Sequence, residues 1–276
     1  MPEYFKPANL EEALMALREP GASPLAGGTD LVLLIKDGLF QPQKLVDLSQ
    51  LNELQGISEK EDFIEIGAST KLKEIVDCEI LPECLRKGAG WVGSPQIRNL
   101  GTIGGNICNA SPSGDTLTPL LVLEAELVLQ SWRGTRVVPL DSFFTGPKRT
   151  IRADDEILTV IRLPKRVLQK KTGFSKIGGR NGMIISQVNG ALSCFKREFK
   201  ITEVRMAFGS VAPTPIRAKH TEEALEGSDI RNIPESVFSA VQEDIKPISD
   251  IRAGDKYRRA LMRAIILDIL SQVQNP

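Results

Sequence analysis

Two glycine-rich loops lie about 75 residues apart in this chain, Leu25-AGGTD-Leu31 and Gly101-TIGGN-Ile107, and the second is followed by Ser111-Pro-Ser-Gly-Asp115. Backbone N–H groups approach phosphate oxygens closely only where no Cβ intervenes, so Gly-Gly permits that contact. Each loop adds a threonine hydroxyl, Thr29 or Thr102, and each enters an apolar segment. Paired in this way, they fit one diphosphate held from two sides by several free N–H groups. Either loop alone reads equally well as a tight turn with left-handed backbone. Neither is the G-x-G-x-x-G of a dinucleotide-binding Rossmann unit.

Other chemistry is sparse. The single histidine, His220, stands in a polar stretch outside both loops. General acid–base work by histidine is therefore not expected. Cys78, Cys84, Cys108 and Cys194 are 6, 24 and 86 residues apart and form no C-x-x-C, which suits reduced thiols in a reducing compartment better than a zinc or iron–sulfur site. Asp115 reads either as a hydroxyl acceptor or as an N-cap for Thr116-LTPLLVLEA. Lys176, in an otherwise apolar strand start, reads either as a cation facing a phosphate or other negative charge, or as an ordinary surface lysine.

These residues need elements to hold them. Residues 9 to 18 read as a helix capped by Asn9, with Glu12 placed for a capping box and Leu10, Ala13, Leu14 and Leu17 on one face. A strand at Ser23–Leu25 feeds the first loop, and the following apolar run reads as a helix or buried segment. Lys44-LVDL, Phe63-IEIGA and Glu156-ILTVIRLP read as strands, Ser69-TKLKEIVD as a capped helix, and 80–91 as a helix. Glu126-LVLQSW and Thr135-RVVPL, joined at Arg133-Gly134, form a hairpin. Lys165 to Lys171 reads as an exposed connection or a docking patch. Beyond it come three strands (Gly173-FSKIG, Ser186-QVNGALSCF, Ile201-TEVRMAFGSV) and three helices (221–225, 234–245, 256–272). In the last helix Tyr257, Leu261, Ala264, Ile265 and Ile269 make an expected core stripe.

At 276 residues the chain can bury two or three small cores. Its 35 basic and 35 acidic residues balance, which argues against nucleic acid or an anionic membrane surface as partner. No apolar stretch approaches a membrane span, and the first residues lack a basic-then-apolar signal, so the expected address is the cytoplasm.

AGGTDL, TIGGNICNASPSGD, Asp155-EIL-Thr159, Phe174-SKIGG-Arg180 and Gly209-SVAPTPIRA together resemble, in order and spacing, the FAD-binding subunit of molybdenum hydroxylases. That family includes the flavin subunits of xanthine, carbon monoxide and nicotinate dehydrogenases. The resemblance implies an α+β chain: a two-part FAD-binding domain of the vanillyl-alcohol-oxidase-like (PCMH) type over 1–170, with subdomains of about 1–57 and 58–170. A C-terminal domain of antiparallel sheet plus helices over 171–276 follows.

It also implies noncovalent FAD, its diphosphate surrounded by Ala26, Gly27, Gly28, Thr29, Asp30, Leu31 and Val32 and by Gly101, Thr102, Ile103, Gly104, Gly105 and Asn106. Ser111, Asp115, Leu158 and Lys176 complete the implied set, with Asp115 on ribityl or ribose hydroxyls and Leu158 against the flavin. Molybdenum cofactor and 2Fe-2S clusters are expected on partners, a molybdopterin-binding large subunit and an iron–sulfur small subunit. The acceptor is NAD or another molecule. Three positions depart from the pattern: Gly179 replaces one of two arginines, leaving Arg180; Met183 replaces an acidic residue; and Val92, beside Trp91, replaces a stacking aromatic. A self-sufficient flavin oxidase or dehydrogenase and a non-catalytic nucleotide-binding assembly subunit are the rival readings.

Overall fold

A computed structural model describes residues 2–179 and 184–274. Arg180 and Met183 lie outside the described residues. The chain folds as mixed helices and sheets in an α+β arrangement.

The first unit is β1 (Glu3–Phe5), α1 (Leu10–Ala16), β2 (Ala22–Leu25), α2 (Leu31–Lys36) and β3 (Lys44–Asp47), with the strands in a parallel sheet of order β1-β3-β2. Asn9 caps α1 by accepting from the Glu12 N–H at 2.9 Å. The Glu12 carboxylate accepts from Ala8 at 2.9 Å, one residue before the position a capping box requires. Ala13, Leu14 and Leu17 are buried as expected. The apolar run after the first loop is a helix, α2, but not a buried one: Val32, Leu33 and Leu34 are exposed.

The second unit holds β4 (Ile57–Glu59), β5 (Phe63–Gly67), α3 (Leu72–Asp77), α4 (Glu83–Gly90), α5 (Pro95–Leu100), α6 (Ile103–Cys108) and α7 (Leu117–Val122). It continues through β6 (Glu126–Ser131), β7 (Gly134–Pro139), the short pair β8 (Phe144–Gly146) and β9 (Arg149–Thr150), and β10 (Ile157–Pro164). Its main sheet is antiparallel, in the order β4-β5-β10-β6-β7, and β6–β7 is the expected hairpin. Neither Ser69 nor Thr70 caps α3; the Thr70 hydroxyl donates instead to Gly56 O. Every residue of α7 is buried. Each of its leucines contributes roughly 1.5–3 kcal/mol by leaving water.

The third unit is β11 (Lys171–Ile177), β12 (Val188–Arg197), β13 (Lys200–Gly209) and β14 (Ile216–Arg217), an antiparallel sheet in sequence order, with α8 (Lys219–Leu225), α9 (Glu235–Asp244) and α10 (Asp255–Gln274). The α10 stripe differs from the expected one. Met262, Ile265, Ile266, Ile269, Leu270 and Val273 are buried, whereas Tyr257 and Ala264 face solvent. Ile265 and Ile269 lie in the core as expected, but at the start of the helix the buried face lies one residue further on, at Arg258 and Met262, because buried Arg258 breaks the apolar pattern. The 165–171 connection is not simply exposed either, because Val167 and the Lys170 side chain are buried. Lys170 lies over the Phe195 ring and donates to Glu203 O at 3.1 Å.

Candidate functional site

The first glycine loop leaves the parallel sheet where Leu25 pairs with Asp47. A β-carbon on Gly27 would collide with the carbonyl oxygen of Leu100 and lie 2.9 Å from the Gly101 Cα. The first loop therefore rests directly on the residue that opens the second. Gly28 has φ +68°, a left-handed conformation that costs glycine little. The first hydrogen bond of α2 runs from Val32 N to Gly28 O at 3.1 Å, and Asp30 makes no side-chain cap. Among the described residues, the N–H groups of Gly27 through Leu31 meet no acceptor. They form an unbroken run of free donors, with Ala26 to Thr29 half-buried and Asp30 exposed.

The second loop is built differently. Gly101 donates to Ile97 O (2.7 Å), Ile103 to Thr70 O (3.0 Å), Gly104 to Ala68 O (2.8 Å) and Asn106 to Thr102 O (3.0 Å). The Gly105 N–H goes to the Thr102 hydroxyl at 3.1 Å, which caps α6. The expectation of free donors from both loops is thus corrected: these five donors of the second loop are spent inside the protein. Gly104 also has a different reason to be glycine. A Cβ there would lie 2.6 Å from the Ala68 Cβ and 2.7 Å from its carbonyl oxygen, so the missing side chain lets α6 press against the end of β5.

From the second loop a chain of contacts leads to Asp115. Thr116 donates to Asn106 Oδ1 at 2.6 Å. Asp115, 7% exposed, accepts from Lys176 Nζ (2.6 Å) on one oxygen, and from Ser186 Oγ (2.6 Å) and Asn189 Nδ2 (3.1 Å) on the other. Burial pushes its carboxyl up from the ordinary aspartate value, against the opposing pull of Lys176 and the two neutral donors. Asp115 makes no cap bond to α7, so its helix-capping reading is corrected. Lys176 is no surface lysine: its side chain is 2% exposed, donates to Trp91 O at 3.4 Å and lies 5.5 Å from the centroid of the Trp91 ring.

The structure thus joins the first loop to Gly101, and Asn106 through Thr116 to Asp115 and Lys176. Two residues of the set stand apart. Leu158 is buried beside a β-bulge, in the core shared by Ala68, Ile103 and Ile107, and Ser111 bonds to Ser113 at 3.3 Å. Ser186 and Asn189 were missed. The one available signal was a polar residue within the apolar run of β12. His220 is exposed and pairs with Asp244 at 2.8 Å, which raises its pKa. Burial pushes the Cys84 and Cys194 thiols up to about 12, so both stay protonated.

Residues 1–166 match the family model described as the FAD binding domain in molybdopterin dehydrogenase, and residues 174–273 match the carbon monoxide dehydrogenase flavoprotein C-terminal domain. The chain belongs to this flavoprotein family. It is 34% identical over 277 aligned residues to the xanthine dehydrogenase FAD-binding subunit of Escherichia coli O157:H7, covering 98% of this chain and 94% of the relative. It is 32% identical to the nicotinate dehydrogenase FAD-subunit of Eubacterium barkeri, covering 99% and 97%. The fold superposes with a TM-score of 0.90 on a chain of carbon monoxide dehydrogenase from Hydrogenophaga pseudoflava, at 29% identity over 99% of this chain and 96% of that one. The members of this flavoprotein family that it resembles are subunits of oxidoreductases. No helix among the described residues is long and apolar enough to cross a membrane.

Proposed function

We propose that this chain holds FAD noncovalently at the paired glycine loops and works as the electron-relay subunit of a heteromeric molybdenum hydroxylase. The observation that carries the reading is the run of unpaired N–H groups from Gly27 to Leu31, seated against Gly101. Orphaned backbone donors are costly unless an acceptor or water meets them, and a diphosphate suits a run of consecutive N–H donors. Gly27 through Leu31 would hold the diphosphate, with the Thr29 hydroxyl, exposed Gly105 and half-buried Asn106 beside it. Asp115 would accept from ribityl or ribose hydroxyls, and Lys176 would place positive charge nearby. When bound, FAD supplies the redox chemistry. The chain's own residues position it and set its electrostatics.

In this reading residues 1–170 form the FAD-binding unit and 171–276 a second unit. A molybdopterin-binding large partner oxidises the substrate, and electrons arrive through the 2Fe-2S clusters of a small partner. They leave to NAD or another acceptor, in the cytoplasm. The names of the relatives, xanthine and nicotinate dehydrogenase subunits, support the division of labour.

Acid precipitation of the purified flavoprotein should release all the yellow colour into the supernatant. The chain alone should be reduced by dithionite but not by purines, nicotinate or aldehydes, and adding the two partners should restore reduction by substrate. Flavin retained on the denatured chain would overturn noncovalent binding. Rapid bleaching by an organic substrate without partners would overturn the relay role.

A further inference from the structure

We infer that Ser186 and Asn189 are positioning residues that hold the Asp115 carboxylate for a ligand hydroxyl. This rests on the FAD reading above and extends it, because the family's flavin-binding match ends at residue 166. Ser186 precedes β12 and is 1% exposed, and Asn189 lies within β12 at 0%. Together they fill both lone pairs of one Asp115 oxygen. The other oxygen takes Lys176 and, among the described residues, meets no second donor, which leaves it to accept from a ligand hydroxyl in this inference.

A further set of contacts fixes these two donors. The Asn189 Oδ1 accepts from Thr118 at 3.1 Å, which turns its amide N–H₂ toward Asp115. Gly209 makes room for that amide: a Cβ there would lie 2.5 Å from Asn189 Oδ1. Ser210, a non-glycine residue at φ +66°, donates its N–H to Pro112 O at 2.8 Å and its hydroxyl to Ser186 O at 2.9 Å. Buried Arg258 of α10 donates to Ser210 O (2.6 Å) and Gln187 O (3.0 Å) and pairs with Asp250 (2.8 Å). Strained backbone survives where its surroundings over-determine it, and here they clamp the 112–115 loop from the C-terminal side.

A buried carboxylate deprived of a donor is pushed toward its protonated form, which turns one oxygen into a donor and weakens the other as an acceptor. Among the described residues, Lys176 of β11 is the charged side chain facing Asp115. Next to it, α4 and its C-cap present Gly88 and Trp91, and α7 with its N-cap presents Thr116 and Thr118, none of which titrates in this range.

The test is FAD titration of the full-length apo chain, followed by flavin fluorescence over a range of pH, with thermal unfolding measured on the same samples. Ser186→Ala and Asn189→Ser should each weaken FAD binding about tenfold. Each should also shift the loss of binding on acidification to higher pH. Ser186→Thr keeps the hydroxyl and should restore both. Ser193→Ala is the control, because Ser193 lies on the same strand, is equally buried and donates to Val122 O, away from Asp115. Wild-type affinity and pH profile in both Ser186→Ala and Asn189→Ser would overturn the inference, as would an equal loss in the Ser193→Ala control. Failure of the wild-type chain to bind FAD would overturn the FAD reading itself, and this inference with it.

Discussion

The two glycine loops look alike on paper and differ in the molecule. The first leaves the N–H groups of Gly27 to Leu31 unpaired, whereas the second spends those of Gly101, Ile103, Gly104, Gly105 and Asn106 on protein acceptors. In the first loop, glycine supplies a left-handed turn and lets the backbone approach Leu100 and Gly101. In the second, Gly104 lets a helix pack against a strand end. Gly-Gly therefore marks close approach, and what approaches must be found in three dimensions. One loop keeps its donors free, and the other packs against it.

Valine substitution should separate these roles most sharply. Gly104→Val drives a branched side chain into Ala68 Cβ and O, and overpacking of this kind should cost about 3 kcal/mol or more. Apo-protein melting should fall by many degrees, and FAD loss would follow from unfolding. Gly28→Val instead meets Val32 Cγ2 at 3.1 Å and forces a β-branched residue to φ +68°. That strain, about 1–3 kcal/mol, lies in a half-buried loop, so FAD should be lost while the circular dichroism stays native-like. Equal melting temperatures for the two variants would erase the distinction.

Thr102→Ala probes the supporting loop more gently. It removes the cap that receives Gly105 N–H, at a cost of about 1 kcal/mol. Chemical denaturation should show this loss, while FAD affinity should change by less than the stability does. A selective collapse of FAD binding at unchanged stability would make Thr102 a ligand-binding group first and a cap second.

Local pattern made part of this legible. The β6–β7 hairpin, the Asn9 cap and the strand feeding the first loop follow from alternation, turn residues and capping chemistry within a few residues of each other. Two hydrogen-bond partners of the second loop do not. Thr70 O and Ala68 O come from more than 30 residues upstream, and nothing in TIGGN specifies them. Ser186 and Asn189 reach Asp115 across 71 and 74 residues for the same reason. Hydropathy also misleads at α2, since an apolar run records a preference for leaving water but not the surface that covers it. Lys170 shows the converse: a lysine in a basic run packs its amine over an aromatic ring because the sheet behind it supplies Phe195 and the carbonyl of Glu203.

The smallest expected effect is at Thr29, and it tests the donor loop without touching its backbone. The Thr29 hydroxyl lies 3.5 Å from where a Gly101 Cβ would stand, on the seam between the loops, and meets no partner among the described residues. A side chain that bonds to nothing in the apo chain adds little to folding, so Thr29→Ala should leave the melting temperature within about a degree of wild type. If that hydroxyl donates to a phosphate oxygen, its removal should weaken FAD binding several-fold, as expected for one hydrogen bond to a charged acceptor in a partly wet site. Thr29→Ser should recover the lost affinity, since it restores the donor without the methyl group. Wild-type affinity in Thr29→Ala would assign the diphosphate to the backbone donors alone and remove the side chain from the site. A loss as large as that of Gly28→Val would place the hydroxyl, rather than the free N–H run, at the centre of binding.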